Sequence, residues 1–351
     1  MTFLHALILR CLDAINGDRT IYSIYHLLAG KKSSQTIQDA HLYRLSHLFK
    51  TLPGLRRQQF DTYIGELQKK SYIAFLEGTS KCIVTDEGNR AYSHFLQKRK
   101  SFDYIHGWKF QDTSIQFWKR FTLFVQAISH MNHSVNRYFP VQRDEEVLSW
   151  LKDFFGKYRG NRLQISKDLY EELHVIFSTD FPEDPYLIVA RLSGNEMIGL
   201  TQKQISEHYG LEEIEAYFRF LNGLHYLIQT IISQKNKYSL LFTFTSDIYK
   251  QLPLTNSTIR TYKLLQQDFN ISQIAEMRNI KEGTVEDHII EIALLDPHFS
   301  IDPFIERSQA KAILEVAEGL SQKKLKPIKE KMQDSSYFQI RLVLAKAGEK
   351  M

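Results

Sequence analysis

Residues 258–295, TIRTYKLLQQDFNISQIAEMRNIKEGTVEDHIIEIALL, decide the fold class of this chain. Apolar side chains recur at helical spacing in three short runs, and a tight turn separates the last two. Asn270 or Ser272 can cap the second helix. The side chains of that helix that we expect to face inward are Ile274, Ala275 and Met277. Because Ala275 is small, the third helix can cross the second closely, which predicts a helix-turn-helix.

The composition indicates a mainly helical, globular protein. A chain of 351 residues predicts two or three domains, and 43% hydrophobic residues with only 8 Pro and 16 Gly suit helical cores. Cys11 and Cys82 are the only cysteines and have no paired spacing, which favours a reducing cytoplasm. No apolar run approaches the roughly 18 residues that a membrane span needs. We therefore expect a cytoplasmic protein without a membrane partner.

The positive charge lies in the first third of the chain. Residues 1–110 contain 16 Lys or Arg against 9 Asp or Glu, a net charge of +7. Residues 111–254 carry −2 (15 against 17) and residues 255–351 carry zero (14 against 14), which gives +5 in total. A nucleic-acid partner would therefore be attracted to the N-terminal part, and the expected location is the nucleoid.

Residues 3–97 resemble a winged helix. A helix is predicted over 55–70, strands over 72–77 and 82–85 with a polar turn between them, and a further helix from 86. The first of these helices begins with polar and basic side chains where groove-inserted residues usually lie. The candidate nucleic-acid-binding residues are Arg56, Arg57, Gln58 and Gln59, with Lys69, Lys70 and Lys81. Two alternatives stay open, a solvated basic face and a winged helix used only for packing or dimerisation.

Residues 101–254 predict a helical region that ends in a second winged-helix-like unit. Phe117, Phe121 and Phe124 recur at helical spacing, which favours a core over stacking on single-stranded bases. Thr201 can cap a helix that ends at Gly210, the pattern of another helix-turn-helix. Strands are predicted over 226–232 and 238–245, in the position of a wing.

The motifs of common enzymes are missing from the sequence. It contains no phosphate-cradling P-loop, no HExxH and no GxSxG. His130 and His133 could share a helix face, but no third ligand follows at a clear spacing. We therefore predict no catalytic residues, no metal, no cofactor and no small-molecule ligand.

The C-terminal segment, residues 255–346, resembles the "helicase helix-turn-helix" domain of some bacterial RecQ-type helicases. The resemblance rests on SQIA (272–275), GTVEDH (283–288), LKPIK (325–329) and YFQIRLVLA (337–345). The whole chain resembles the YpbB family of Gram-positive bacteria, whose members are encoded beside a RecQ-type helicase. That resemblance implies an accessory role in DNA repair or replication, with a RecQ-type helicase as partner.

The third helix of that domain departs from a groove-reading helix. Groove readers present Arg, Lys, Asn or Gln, whereas this helix presents carboxylates that repel phosphates. The candidate partner-binding residues are Glu286, Asp287, His288 and Glu291. A second basic cluster follows at Lys323, Lys324, Lys326, Lys329 and Lys331, where a solvated helix face is favoured over a phosphate contact.

The predicted fold is mainly α, built from winged-helix and helix-turn-helix units with small β-wings. Three domains are expected: a winged-helix-like domain over 1–100, a helical region with a second winged-helix-like unit over 101–254, and a helicase-type helix-turn-helix domain over 255–351. The first hypothesis for function is a non-enzymatic accessory protein of a RecQ-type helicase that binds the helicase and DNA. The alternative is a winged-helix transcription regulator.

Overall fold

The computed structural model describes residues 1–97, 99–157, 162–320 and 325–347. Almost all regular structure in these residues is helical, and their one sheet has two short strands, which confirms the predicted fold class. No helix in the described part of the chain is long and apolar enough to cross a membrane.

The N-terminal segment is helical apart from a small wing. Its elements are α1 (Phe3–Ile15), α2 (Ile21–Ala29), α3 (Ser34–Leu42), a 3-10 turn (Ser46–Leu48), α4 (Arg57–Lys69), β1 (Ile73–Phe75), β2 (Cys82–Val84) and α5 (Asp86–Leu96). The strands are antiparallel, with Ile73 opposite Val84 and Phe75 opposite Cys82. The predicted order of helix, wing and helix is therefore present.

The described residues of the middle segment form helices and no strand, apart from an isolated bridge between Gly194 and Met197. The helices are α6 (Gly107–Phe110), α7 (Thr113–Asn132), α8 (Glu145–Lys157), α9 (Arg162–Ser178), α10 (Tyr186–Val189), α11 (Gln202–Tyr209), α12 (Glu213–Ser233) and α13 (Ser239–Phe242). Phe117, Phe121 and Phe124 of α7 are completely buried in its core, as predicted. Thr201 caps α11, and Gly210 ends it in the left-handed conformation, so the second helix-turn-helix pattern is also present.

The predicted strands of the second wing are wrong. Residues 226–232 are part of the long helix α12, and residues 239–242 of the predicted strand 238–245 form α13. The β-branched run at 230–232 favours a strand locally, but Leu224, Leu227, Ile228 and Ile231 are buried at helical spacing in the middle core. Packing against that core outweighs the local strand preference.

The C-terminal segment continues the helical pattern. It comprises α14 (Asn256–Leu265), α15 (Ile271–Arg278), α16 (Glu282–Leu295), α17 (Arg307–Glu318), α18 (Leu325–Lys331) and α19 (Tyr337–Ala347). The three predicted helices of residues 258–295 are confirmed, and Asn270 is the cap of α15. Ala275 is buried as expected, whereas Met277 is 58% exposed.

The described chain divides into two compact units. The terminal unit combines residues 5–97 with the C-terminal segment from residue 251, and the middle unit combines residues 1–4 with the middle segment up to residue 250. Within the terminal unit, α16 packs against α3, α14, α15 and α19. The first and third predicted domains are therefore not separate compact units, because the N-terminal helix α3 covers the C-terminal helices α16 and α19.

Candidate nucleic-acid interface

The start of α4 is an exposed, basic helix end. Arg56 is its N-cap residue, and Arg56, Arg57, Gln58 and Gln59 are all exposed. The backbone N–H of Arg56 donates to Oε1 of Gln59 at 3.1 Å, so this amide caps the helix. The two guanidinium groups and the Gln58 amide face solvent at the end of α4 that carries partial positive charge.

Arg57 is held by a neighbouring aromatic ring. Its guanidinium carbon lies 4.2 Å from the ring centroid of Tyr22 in α2. Its Nε lies 3.9 Å from a carboxylate oxygen of Asp61, one helical turn further along α4. The Arg57 side chain remains 62% exposed, so N–H donors at the edge of its guanidinium can reach an anion.

The wing folds back towards the same ring. The backbone N–H of Ile21, at the start of α2, donates to the carbonyl of Ser80 in the wing turn at 2.9 Å. The next residue, Lys81, lines a groove together with Tyr22. Arg57 therefore contacts a tyrosine that shares a groove with Lys81, as expected for a recognition helix and its wing.

Two predicted residues lie elsewhere. Lys69 and Lys70 are exposed at the C-terminal end of α4. A helix of 13 residues spans roughly 20 Å, so these lysines are not part of the group around Arg57. Their position favours interaction with the negative end of the helix dipole.

The third helix of the C-terminal helix-turn-helix is a core element. Only its first turn, residues 282–284, is exposed. The buried residues of α16 are Val285, His288, Ile289, Ile290, Glu291, Ile292, Ala293 and Leu294. They cover all sides of the helix, so α16 has no long free face for a DNA groove or for a partner.

The predicted partner-binding residues are used inside the chain. Glu291 accepts hydrogen bonds from the backbone N–H of Thr255 at 2.6 Å and from the hydroxyl of Thr258 at 2.6 Å, at the start of α14. His288 accepts at Nδ1 from the hydroxyl of Thr261 at 2.8 Å and from Arg278 at 3.2 Å. Both contacts tie α16 to α14 and α15, so the prediction that His288 and Glu291 form a partner face is wrong.

The remaining two carboxylates lie towards α19. Asp287 forms an ion pair with Arg341, whose Nε also donates to Oε1 of Gln38 in α3 at 3.0 Å. Glu286 is half-buried, and burial raises the pKa of its carboxyl group. Asp287 therefore links α16, α19 and α3, and the acidic face expected from the sequence is largely a set of internal contacts.

These contacts predict a pH-dependent stability. Burial, and then the charge of Arg278, lower the pKa of His288 to about 4 from 6.5. Between those values the unfolded chain takes up a proton that the folded chain does not, so stability present above pH 6.5 is lost as the pH falls towards 4. We expect the free energy of unfolding in urea to fall from pH 7 to pH 5, and to fall less in His288→Asn.

The comparison with His288→Asn isolates this histidine from other titrating groups. Burial raises the pKa of Glu291, and a raised carboxyl pKa acts in the opposite direction over an overlapping pH range. An identical pH dependence in the wild type and in His288→Asn would contradict the assignment.

The other predicted groups have local roles. Nδ1 of His130 and Nδ1 of His133 each lie 2.8 Å from the backbone carbonyl four residues earlier in α7. Lys329 donates to the carbonyls of Gln333 and Ser335, just beyond α18. Lys323 and Lys324 lie outside the described residues, Lys331 is exposed, and Lys326 is exposed and lines the groove next to Tyr22.

A basic helix end before a two-stranded wing, together with a helix-turn-helix in the C-terminal segment, defines a protein of the DNA-binding helix-turn-helix class. A family described as "Helix-turn-helix domain" matches residues 246–344. The chain is 31% identical over 347 residues to Protein YpbB of Bacillus subtilis (strain 168), which covers 99% of this chain and 98% of that protein. The chain therefore belongs to the YpbB family. No solved structure matches it at a significant level.

Proposed function

We propose that this chain is a non-enzymatic accessory protein of a RecQ-type DNA helicase in DNA repair or replication. In this proposal it holds DNA through its N-terminal winged helix and contacts the helicase through its C-terminal segment. The observation that carries the DNA-binding part is the exposed start of α4, where Arg57 lies over Tyr22, a residue that lines one groove together with the wing residue Lys81.

The charges at the start of α4 are suited to binding a phosphate backbone. Arginine forks bind phosphate oxygens in two-point contacts, and the N-terminal end of a helix adds a favourable dipole. The net charge of +7 over residues 1–110 adds long-range attraction. Contacts of this kind depend on phosphates more than on bases, so binding should tolerate different sequences.

The C-terminal segment supports a protein partner better than a DNA groove. Its third helix is buried beyond the first turn, and Asp287 and Glu291 are bonded within the chain. The resemblance of residues 255–346 to the domain found on RecQ-type helicases suggests that the family supplies this domain on a separate chain. The segment still has exposed sides on α15 and α17, where Met277 is 58% exposed and the Lys311 side chain is 80% exposed.

The proposed helicase contact predicts that a substitution in the C-terminal segment weakens helicase binding. The immobilised full-length protein should retain a purified RecQ-type helicase, and Met277→Asp should weaken this retention by about tenfold, because an exposed apolar anchor is lost from the docking side. Met197→Asp is the matched control, since it changes another exposed methionine, 67% accessible, in the middle unit. Failure of the wild type to retain the helicase, or equal weakening by both substitutions, would count against the proposal.

The alternative is a transcription regulator, and one observation favours it. The Gln58 amide is exposed beside Arg56, and glutamine can read adenine through paired hydrogen bonds in the major groove. A regulator would form a symmetric dimer and prefer palindromic sites. Sequence-tolerant binding by a protein that co-purifies with a helicase would favour the accessory role instead.

A further inference from the structure

A groove of about 690 Å³ opens beside the wing in the terminal unit. One side is formed by α2 through Tyr22 and His26, and the start of α3 contributes Ser33 and Gln35. Lys81 of the wing and Lys326 of α18 also line it. The groove therefore combines residues from both ends of the sequence.

The lining is positively charged. Its cations are Arg19, Lys31, Lys81 and Lys326, and its carboxylates are Asp18 and Asp39, so its formal charge is +2 with His26 neutral. Both carboxylates are buried. Asp39 pairs with Arg19 at 2.9 Å, and Asp18 accepts a hydrogen bond from the Tyr43 hydroxyl at 3.4 Å. The lysines thus give the open part of the groove its charge.

The lysines are available to a ligand. Lys31 is exposed directly after α2 ends at Gly30. The Lys326 side chain is 81% exposed, and its contact with Glu330 is 4.0 Å long. An ion pair this open to solvent is weak, so an anion can replace Glu330 as the partner of Lys326 with little loss of free energy.

The groove is continuous with the basic start of α4. Arg57 lies over the ring of Tyr22, which lines the groove. Burial lowers the pKa of His26, and the charges of Lys31 and Arg57 lower it further, so both cations act on the same imidazole. The start of α3, a nine-residue helix capped by Ser33, opens into the same space and adds its dipole.

We propose that this groove carries the phosphate backbone of bound nucleic acid onward from the start of α4, with Lys31 and Lys326 as phosphate contacts. The inference rests on the DNA-binding part of the proposed function and extends it. It assigns part of the DNA footprint to α18, so both ends of the chain hold the same ligand. The groove contacts phosphates rather than bases, because its open cations are lysines without a bidentate geometry.

The test compares two double substitutions of equal charge change in the full-length chain. Lys31→Glu with Lys326→Glu removes the groove lysines, and Lys167→Glu with Lys203→Glu changes two exposed lysines of the middle unit. We expect the groove variant to bind a short fluorescent duplex at least tenfold more weakly than the control. Its plot of log affinity against log salt should be shallower by about 2. The milder Lys31→Gln with Lys326→Gln should give an intermediate loss.

Three results would overturn the assignment. Groove variants that fold and bind DNA as the control does would exclude the groove while leaving the DNA-binding function intact. Absence of DNA binding by the wild type would overturn both proposals. Displacement of DNA by sodium phosphate well beyond that by sodium chloride of equal ionic strength would indicate a site for free phosphate rather than for a polymer.

Discussion

Replacing Ile290 by alanine should lower the free energy of unfolding of the terminal unit by about 2–5 kcal/mol. Ile290 is completely buried in α16 and lies between α3 and α19, on the side that an ordinary groove-reading helix leaves exposed. Truncating a buried isoleucine removes apolar contact and enlarges the cavity of about 450 Å³ that Ile290 lines between α3 and α19. Urea unfolding followed by circular dichroism will measure the change.

Thr284→Ala is the matched control on the same helix. Thr284 is exposed in the first turn of α16, and surface substitutions of this kind usually change stability by less than about 0.5 kcal/mol. Equal, small effects of Ile290→Ala and Thr284→Ala would mean that α3 does not cover α16 in solution. The third helix would then again be available to DNA.

Reversing Arg56 and Arg57 to glutamate should weaken DNA binding by about 1–3 kcal/mol, an order of magnitude or more. Two exposed guanidinium groups at the start of α4 become carboxylates that repel phosphate, at the helix end where the dipole favours anions. Both positions are exposed, so the fold should be retained. Fluorescence anisotropy with a labelled duplex at several salt concentrations will measure the effect.

Lys167→Glu with Lys203→Glu again provides a control with the same change in net charge. If the whole protein's charge attracted DNA without a defined site, both double variants would weaken binding alike. We expect the Arg56 and Arg57 variant alone to lose the larger part of the affinity. Unchanged binding in that variant would remove the start of α4 from the DNA interface.

Local sequence patterns predicted much of this fold. The capping residues Asn270 and Thr201, and the turn residue Gly210, act between neighbours in sequence. The wing and the exposed polar start of α4 were also predicted from residues within a short stretch. Such features depend on backbone conformation and helical period, which single sequences contain.

Contacts between segments far apart in sequence could not be predicted from local patterns. The contact of α3 with α16 joins segments about 250 residues apart in sequence. For that reason the sequence predicted an exposed acidic face at Asp287 and Glu291. In the structure Asp287 pairs with Arg341, and Glu291 accepts a hydrogen bond from Thr258. The groove residues Tyr22 and Lys31 were missed because their role depends on the wing folding back onto α2. The pair of lysines directly after the end of α2 was the one local feature of the sequence that could have indicated this groove.

We propose that DNA lies along the start of α4 and the wing rather than along the third helix of the C-terminal helix-turn-helix. The most direct measurement is the position of photo-induced cross-links between a duplex and the full-length protein, mapped by mass spectrometry. We expect adducts in peptides that contain residues 56–59 and 79–81. Adducts concentrated in residues 282–295, with none near α4, would contradict the claim.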